Sequence, residues 1–340
     1  MALYHAFDDK EDTLWNWKLG PRAPIACVEA GRAQIKERVF LFGGYMSLSD
    51  VSDRVYVFDM KHESWDYLGK LPTGAPETHQ GITSDGHRYI YLISGQAGGN
   101  CSPCSPRCFA FDAKKNHFSE MPPLPEACYM PVVYFYSGRV HCFGGSSRDR
   151  QTPSRKHWSI AADGAKATES SWRKDTSFDY ERTHTASYVN GDILYLLGGQ
   201  IGEVPPVVGS SSYECNFDTP LDKVLNETIC IDLKTHVNRV LEPMPEKISH
   251  AEHAVMRIGP LVVVAGGVYD RLTVARNIFA FDLETMTWRS FGKLPYPIKS
   301  PIASCYNGWL YVMVGQSCIG VNDLRAGKVL DTVWKAKISV

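Results

Sequence analysis

The chain has 340 residues, of which 44% are hydrophobic and 21% are charged, a composition typical of a soluble globular protein with a substantial core. Its 36 lysines and arginines nearly balance its 37 aspartates and glutamates, so no net field attracts nucleic acid or an acidic membrane surface. Both partner classes are therefore excluded. No stretch approaches the roughly 18 consecutive apolar residues of a membrane helix, so no membrane segment is predicted.

Residues 1–11 are polar and acidic and are predicted to form an N-terminal tail. They lack the basic start and the apolar stretch of a signal peptide, which predicts a cytoplasmic protein. Ten cysteines and the glycosylation sequon Asn226-Glu227-Thr228 leave a second interpretation open. In that interpretation the protein belongs to the secretory pathway or Golgi lumen, and an N-terminal anchor has been trimmed from it.

Six short apolar runs that end in glycine divide the rest of the chain into similar units of roughly fifty residues. In the first unit, a loop follows the glycines, then the apolar run 55–59, and then a short segment with Trp65. Strands of this composition separated by turn residues predict an antiparallel meander of four strands per repeat. The six runs are residues 39–44, 90–95, 141–145, 194–199, 262–267 and 310–315.

The two ends of the repeat region complete each other. Residues 331–338 have the pattern of a third strand in the sixth repeat, and no fourth strand follows them. Residues 13–17, followed by a turn at 21–24, have the pattern of the missing fourth strand. We therefore predict an all-β, monomeric, six-bladed β-propeller at residues 12–340, closed by an N-terminal strand that completes the last blade.

The double glycine, the aromatic strand and the spaced tryptophan resemble the kelch-repeat β-propeller family over residues 12–340. The chain is similar in particular to the plant galactose-oxidase/kelch-like repeat proteins, through His157-Trp158-Ser159-Ile160, Gly315-Gln316 and residues 327–330. The resemblance implies the propeller fold, and in that plant group an N-terminal membrane anchor and no settled activity. It implies no reaction, because one fold supports many functions.

In such a propeller, the loops that lead into each blade and the loops after each glycine pair gather at one face. The first set of loops places His79, His184 and His250 at comparable positions of three repeats, with Glu252 close to the last. Imidazoles titrate near neutral pH, so these four residues are predicted to be catalytic in an axial pocket. The predicted substrate-binding residues are Arg22, Tyr45, Gln96, Tyr129, Arg182, Gln200, Lys299 and Gln316.

This set predicts a cofactor-free enzyme that transforms a small polar or carbonyl-containing molecule as an isomerase, epimerase, cyclase or lyase. One alternative is a metal-dependent enzyme in which His79, His184 and His250 bind zinc or iron. Another alternative is a non-catalytic kelch recognition module. It would bind a peptide or protein at the same face through arginines and exposed tyrosines.

Three further features complete the sequence-based predictions. The loop at 200–226 lengthens the fourth repeat and is predicted to form a partly ordered lid over the axis, with disorder as the alternative. Seven histidines on outer strands or turns are assigned structural roles: His5, His62, His87, His117, His141, His157 and His236. A disulfide between two loops and unpaired thiols both remain open for Cys101, Cys104, Cys108 and Cys215.

Overall fold

The computed structural model describes residues 7, 15–100, 102–148, 152–202, 223–270 and 273–338. Most of the predicted lid, together with Cys101 and Cys215, lies outside these residues. Within them, all regular secondary structure is β-strand, and no helix is long and apolar enough to cross a membrane.

Residue contacts divide the chain into two compact units, a middle unit and a terminal unit. The middle unit comprises Glu29–Thr183 and Ile201–Phe217. The terminal unit comprises Met1–Val28, His184–Gln200 and Asp218–Val340. A single domain at residues 12–340 stays a prediction.

Strands are numbered in chain order, and those of the middle unit form three sheets. The sheet orders are β2-β3-β4-β5, β6-β7-β8-β9, and β10-β11-β12 with both β13 and β14 paired to β12. The bounds are β2 (Gly31–Ile35), β3 (Arg38–Phe42), β4 (Arg54–Asp59), β5 (Ser64–Lys70), β6 (Gly81–Ser84), β7 (Tyr89–Gln96), β8 (Cys104–Asp112), β9 (His117–Met121), β10 (Val132–Tyr136), β11 (Arg139–Phe143), β12 (His157–Asp163), β13 (Lys166–Ala167) and β14 (Arg173–Lys174).

The terminal unit contains three four-stranded sheets, β15-β16-β17-β18, β19-β20-β21-β22 and β1-β28-β25-β24, and a smaller sheet β23-β26-β27. The bounds are β1 (Lys18–Leu19), β15 (Ala186–Asn190), β16 (Ile193–Leu197), β17 (Thr228–Asp232), β18 (Asn238–Val240), β19 (Val255–Ile258), β20 (Leu261–Ala265), β21 (Asn277–Asp282), β22 (Thr287–Lys293), β23 (Ile298–Lys299), β24 (Ile302–Tyr306), β25 (Trp309–Met313), β26 (Gln316–Gly320), β27 (Asp323–Val329) and β28 (Val333–Lys337).

The glycine-ended apolar runs are the second strands of the main sheets, and their side chains are buried on both faces. In β7, Ile90 and Leu92 pack with the first sheet, whereas the alternating Tyr91 and Ile93 pack with the third. Successive side chains of a strand point to opposite faces, so a sheet between two neighbours requires a continuous apolar run. This explains why these strands read as unbroken hydrophobic segments.

The N-terminal strand completes the last sheet, as predicted, but it begins later than expected. Lys18 pairs with Lys335 and Leu19 with Trp334, whereas the prediction placed the strand at 13–17, of which residues 13 and 14 lie outside the described part of the chain. Trp15 and Trp17 instead pack in the apolar core of the terminal unit, where Trp17 Nε1 donates to the Lys293 carbonyl at 2.9 Å. Indole burial therefore displaces the strand toward the C-terminal side of the tryptophans.

The main sheets follow one another along the chain in the order of the six predicted repeats. The smaller sheet adds the hairpin of β26 and β27 to the sixth repeat. Six blades around one axis stay a prediction.

Candidate functional site

In the loop before the first strand of each main sheet, a single residue adopts a left-handed backbone conformation. This conformation is uncommon for residues other than glycine and is found at functional sites when the surrounding structure enforces it. The φ angles lie between 42° and 57°. The six residues are Glu29, His79, Met130, His184, His250 and Ser300.

These φ angles confirm that His79, His184 and His250 occupy equivalent positions. They also place Glu29 at the corresponding position of the first repeat, which the search for histidines missed. Tyr129 and Lys299, selected from the sequence, each lie one residue before the equivalent position. Counting back from the start of β2 and β6 identifies Glu29, because Glu29-Ala30-Gly31 aligns with His79-Gln80-Gly81.

Two of the repeat glycines allow the backbone to approach these loops closely. A Cβ atom on Gly95 would lie 2.9 Å from the His79 carbonyl oxygen, and one on Gly315 would lie 2.7 Å from the Lys299 carbonyl oxygen. Both glycines also have positive φ, at 124° and 95°. A side chain at either position would therefore strain the backbone and displace a loop that carries site residues.

In the terminal unit, His184, His250 and Glu252 form a buried group that we call the terminal cluster. His184 Nδ1 lies 3.1 Å from Glu252 Oε1, and the exposed fractions of the two side chains are 1% and 8%. The rings of His184 and His250 are stacked, with 3.8 Å between centroids and 15° between planes. His250 Nδ1 also lies 3.0 Å from the hydroxyl of Ser249. Three predicted catalytic residues are thus in direct contact.

Glu252 is ionised in this cluster. Its burial alone would raise the pKa of the carboxyl, but the charges of His184, His250 and His253 and the hydrogen bond from His184 outweigh burial and lower it to about 2. Its second oxygen, Oε2, is buried and has no hydrogen-bond partner among the described residues. The cluster therefore holds a fixed negative charge beside two stacked imidazoles.

Polar side chains of the sixth repeat accompany the terminal cluster. The Ser300 amide donates to the His250 carbonyl at 3.1 Å, and the preceding residue, Lys299, is buried and pairs with Gln316 between β23 and β26. The buried Ser300 Oγ and Gln316 Oε1 have no hydrogen-bond partner within the described part of the chain. Buried polar atoms are normally paired, so these two are available to bind polar groups of a ligand.

The middle unit contains a second buried histidine–carboxylate pair. His79 Nε2 lies 3.1 Å from Glu29 Oε2, and His79 Nδ1 lies 3.3 Å from Thr78 Oγ1. The Thr78 hydroxyl donates its proton to the Glu29 carbonyl at 2.8 Å, so its oxygen accepts from the imidazole. Both ring nitrogens of His79 thus face acceptors, an arrangement that the protonated ring satisfies.

Aromatic rings and amides enclose this pair, and we call the whole set the middle cluster. Tyr45 and Tyr129 contact His79 edge-on, with centroid distances of 5.8 and 6.2 Å. Gln96 Nε2 donates to Tyr45 Oη and to the Gly98 carbonyl, and Tyr129 Oη donates to the Ser102 carbonyl at 2.8 Å. The structure therefore brings these four predicted site residues together. The middle cluster comprises Glu29, Tyr45, His79, Gln96 and Tyr129.

The other predicted binding residues differ in burial. Arg182 is fully buried and lies 5.6 Å from the ring centroid of Tyr180. Gln200 is also buried and forms an isolated β-bridge with Val224. The Arg22 side chain is 65% exposed and pairs with Asp331 at 2.6 Å. Arg22 thus forms a surface ion pair, whereas Arg182 and Gln200 have the burial expected of a binding site.

The described cysteines of the predicted loop cluster, Cys104 and Cys108, are both buried, and Cys108 is a free thiol. Burial raises the pKa of the Cys108 thiol to about 12, so it is protonated at neutral pH. Because the thiolate is the reactive form, Cys108 is an inert core residue.

The stacking in the terminal cluster also bears on the metal alternative at His79, His184 and His250. The lone pairs of an imidazole lie in the ring plane, so two nearly parallel rings whose centroids are 3.8 Å apart direct their lone pairs within two nearly parallel planes. A bound ion requires ligand atoms that converge. The stacked geometry therefore does not suit the binding of one metal ion by both His184 and His250.

Comparison with known proteins identifies the family. The profile of the Kelch motif family matches residues 26–72. A kelch repeat-containing protein of Arabidopsis thaliana is 32% identical over 95% of this chain and 76% of its own length. The N-(sulfonatooxy)prop-2-enimidothioate sulfolyase of Thlaspi arvense is 22% identical over 86% of this chain and 85% of its own length.

A likeness in structure supports the same assignment. The solved structure of YjhT matches with a TM-score of 0.69 and 13% sequence identity, over 93% of this chain and 96% of that chain. Together with the all-strand structure and its four-stranded sheets, this match confirms the predicted all-β kelch propeller. The chain belongs to the kelch-repeat protein family.

Proposed function

We propose that this protein is a lyase or isomerase that transforms a small polar or carbonyl-containing molecule by proton transfer at the terminal cluster. One observation carries the proposal: the buried His184 presents Nδ1 to the ionised Glu252 at 3.1 Å. Nε2 is therefore the ring nitrogen that faces away from the carboxylate. A carboxylate on one nitrogen fixes the tautomer and makes the other nitrogen a better base.

The stacked His250 supplies the second titratable group that a lyase or isomerase needs. Two protonated rings 3.8 Å apart would repel each other, whereas one proton on the pair is balanced by Glu252. The pair therefore carries at most one positive charge, so that one imidazole is neutral while the other is protonated. One imidazole removes a proton from the substrate while its neighbour returns a proton to the product or to the leaving group.

Lys299, Ser300 and Gln316 are suited to hold the substrate. The buried Lys299 supplies positive charge for an anionic or carbonyl group, and Ser300 Oγ and Gln316 Oε1 supply the hydrogen-bonding atoms described above. We assign His79 to a supporting role, because both of its nitrogens face acceptors in the middle cluster. Proton transfer is thereby assigned to His184 and His250.

The relative from Thlaspi arvense supports the lyase branch, because its name describes a sulfolyase. The recognition alternative receives less support, since it requires exposed tyrosines as anchors. Tyr45 and Tyr129 are buried, with exposed fractions of 2% and 1%.

The first experiment uses the substrate of that relative as a probe. Purified protein is mixed with N-(sulfonatooxy)prop-2-enimidothioate, and sulfate release is measured against the uncatalysed rate. Acceleration is expected, and His184→Gln should reduce it by roughly 10²–10⁴-fold, the usual contribution of one acid or base. The control is His62→Gln, which alters an exposed histidine paired with Asp59. Equal loss in both variants would contradict the assignment of His184.

A second measurement needs no substrate. Nitrogen-15 NMR of the imidazoles should show that neutral His184 carries its proton on Nδ1. Protonation of one ring of the stacked pair should make protonation of the other ring less favourable. A proton fixed on Nε2 of His184, or two imidazoles that charge independently, would contradict the proposed mechanism.

A further inference from the structure

A second group of titratable side chains lies in the third sheet of the middle unit, apart from the middle cluster. His141 is in β11, His157 begins β12, and Asp175 follows β14. His141 is opposite Ser159, and the Asp175 amide donates to the His157 carbonyl at 2.8 Å. This register places three side chains from distant parts of the sequence on one face of the sheet.

The ligand atoms of these three residues converge. His141 Nδ1 lies 3.1 Å from His157 Nε2 and 3.7 Å from Asp175 Oδ2, and all three atoms lie within 4.8 Å of one another. In tetrahedral zinc sites, bonds of about 2.0–2.1 Å place the ligand atoms about 3.3 Å apart. Two of the three separations, 3.1 and 3.7 Å, lie on either side of that value.

The surroundings orient His157 as a metal ligand. Its Nδ1 lies 2.8 Å from the Thr176 carbonyl and therefore carries a proton that it donates to that oxygen. The lone pair of the neutral ring is then on Nε2, the nitrogen that faces His141 and Asp175. Histidine ligands of metals typically donate their second N–H to a carbonyl or carboxylate in this way.

Tyr134 holds the other imidazole in place. Its ring stacks on His141, with 4.7 Å between centroids and 3° between planes. Its hydroxyl lies 3.1 Å from His157 Nε2. Tyr134 therefore fixes the His141 ring and also provides an oxygen beside the converging ligand atoms.

The two carboxylate oxygens of Asp175 lie in different environments. Arg173 binds Oδ1 at 2.8 Å, and the Ser159 hydroxyl also interacts with the carboxylate, whereas the buried Oδ2 makes no short hydrogen bond in the parts of the chain that the structure describes. That oxygen is the one directed toward the imidazoles. A buried carboxylate oxygen without a partner is costly, and a cation between Asp175 and the two rings removes that cost.

We propose that His141, His157 and Asp175 form a binding site for a divalent transition metal ion of the zinc class. Two imidazoles and one carboxylate are ligands that zinc prefers, with a fourth position for water or for the Tyr134 hydroxyl. The ion crosslinks β11, β12 and the segment after β14. The site is separate from the proposed chemistry at His184, since none of its ligands belongs to the terminal cluster.

The test uses the full chain after treatment with a chelator. Addition of Zn²⁺ should raise the midpoint of thermal unfolding, and titration should saturate at one ion per chain. Co²⁺ in the same site should give the intense visible absorption of tetrahedral cobalt. No binding by the unmodified chain, or only the weak absorption of octahedral cobalt, would overturn the proposal.

Variants distinguish this site from other metal-binding residues. Asp175→Asn and His157→Gln should lose the saturable binding and the cobalt spectrum. Asp59→Asn, in the exposed pair of Asp59 and His62 separated by 2.9 Å, should keep both. Binding that survives Asp175→Asn and His157→Gln, or that is abolished by His184→Gln alone, would refute the proposed ligand set. Sulfate release and its loss in His184→Gln test the proposed function independently of these measurements.

Discussion

The middle and terminal clusters each contain a buried histidine 3.1 Å from a glutamate, yet their surroundings are different. In the middle cluster, His79 faces Glu29 through Nε2 and Thr78 through Nδ1, and two tyrosine edges enclose it. In the terminal cluster, His184 faces its carboxylate through Nδ1 and stacks on another imidazole. Both nitrogens of His79 therefore face acceptors, whereas only one nitrogen of His184 faces its carboxylate, which is the basis of the proton transfer proposed above.

This difference shows that equivalent backbone positions do not imply equivalent chemistry. His79, His184 and His250 share the left-handed conformation, but their neighbours determine which nitrogen is the base. The carboxylates also come from different places. Glu29 occupies the equivalent position of its own repeat, whereas Glu252 comes two residues after His250.

The largest expected effect follows from removal of His184, which leaves the buried charge of Glu252 without its main partner. His184→Ala should lower the free energy of unfolding by roughly 3–5 kcal/mol, the range for a broken buried ion pair. The free energy of unfolding is measured by urea denaturation for His184→Ala, for Glu252→Gln and for the double variant. The double variant should recover part of the loss. If the two losses simply add, His184 and Glu252 are not coupled, and the contrast with the middle cluster fails.

A smaller effect is expected from acid. Glu252 has a pKa of about 2 in the folded protein against 4.5 as its ordinary value, so the unfolded chain binds more protons between these values. The stabilisation it provides, about 3 kcal/mol, is complete above pH 4.5 and is lost as the pH falls toward 2. Glu252→Gln should flatten this part of the curve of stability against pH. A curve of unchanged slope would show that Glu252 is not held ionised by its neighbours.

The smallest effect concerns Arg22, the exposed member of the predicted binding set. Arg22→Ala breaks a surface ion pair with Asp331 and should cost about 0.2–1 kcal/mol, with sulfate release unchanged. Thermal unfolding and the turnover assay measure both quantities. A marked loss of turnover would mean that substrate recognition extends beyond the buried residues, and the division of roles between clusters would need revision.

Most of the fold could be predicted from the sequence, because the features that define it recur. The second strand of each main sheet is a continuous apolar run, and a glycine follows it where the backbones approach closely. The start of β1 was predicted less well. Trp15 and Trp17 resemble strand residues, but their side chains are more stable in the core than on an edge strand, which moves the pairing to Lys18 and Leu19.

The site was predicted only where the loops repeat. The three equivalent histidines can be recognised in the sequence because the same residue type recurs at the same place in three repeats. Glu29 has a different side chain, so only its backbone conformation shows that it occupies the equivalent position. His141 and His157 were assigned structural roles because nothing in their spacing indicates a shared face. Strand register, together with Asp175 from a later segment, brings them together.

The pairing of β1 with β28 has a consequence for biosynthesis. Arg22 and its partner Asp331 are 309 residues apart, and Leu19 pairs with Trp334 still farther along the chain. A ribosome that adds about 5–20 residues per second makes the first strand tens of seconds before its partner leaves the exit tunnel. During that interval Trp15 and Trp17 are without the C-terminal part of their core. Emergence of β28 from the exit tunnel, rather than local strand formation, therefore sets the earliest moment at which this sheet can close, and chaperones have that interval in which to protect the two indoles.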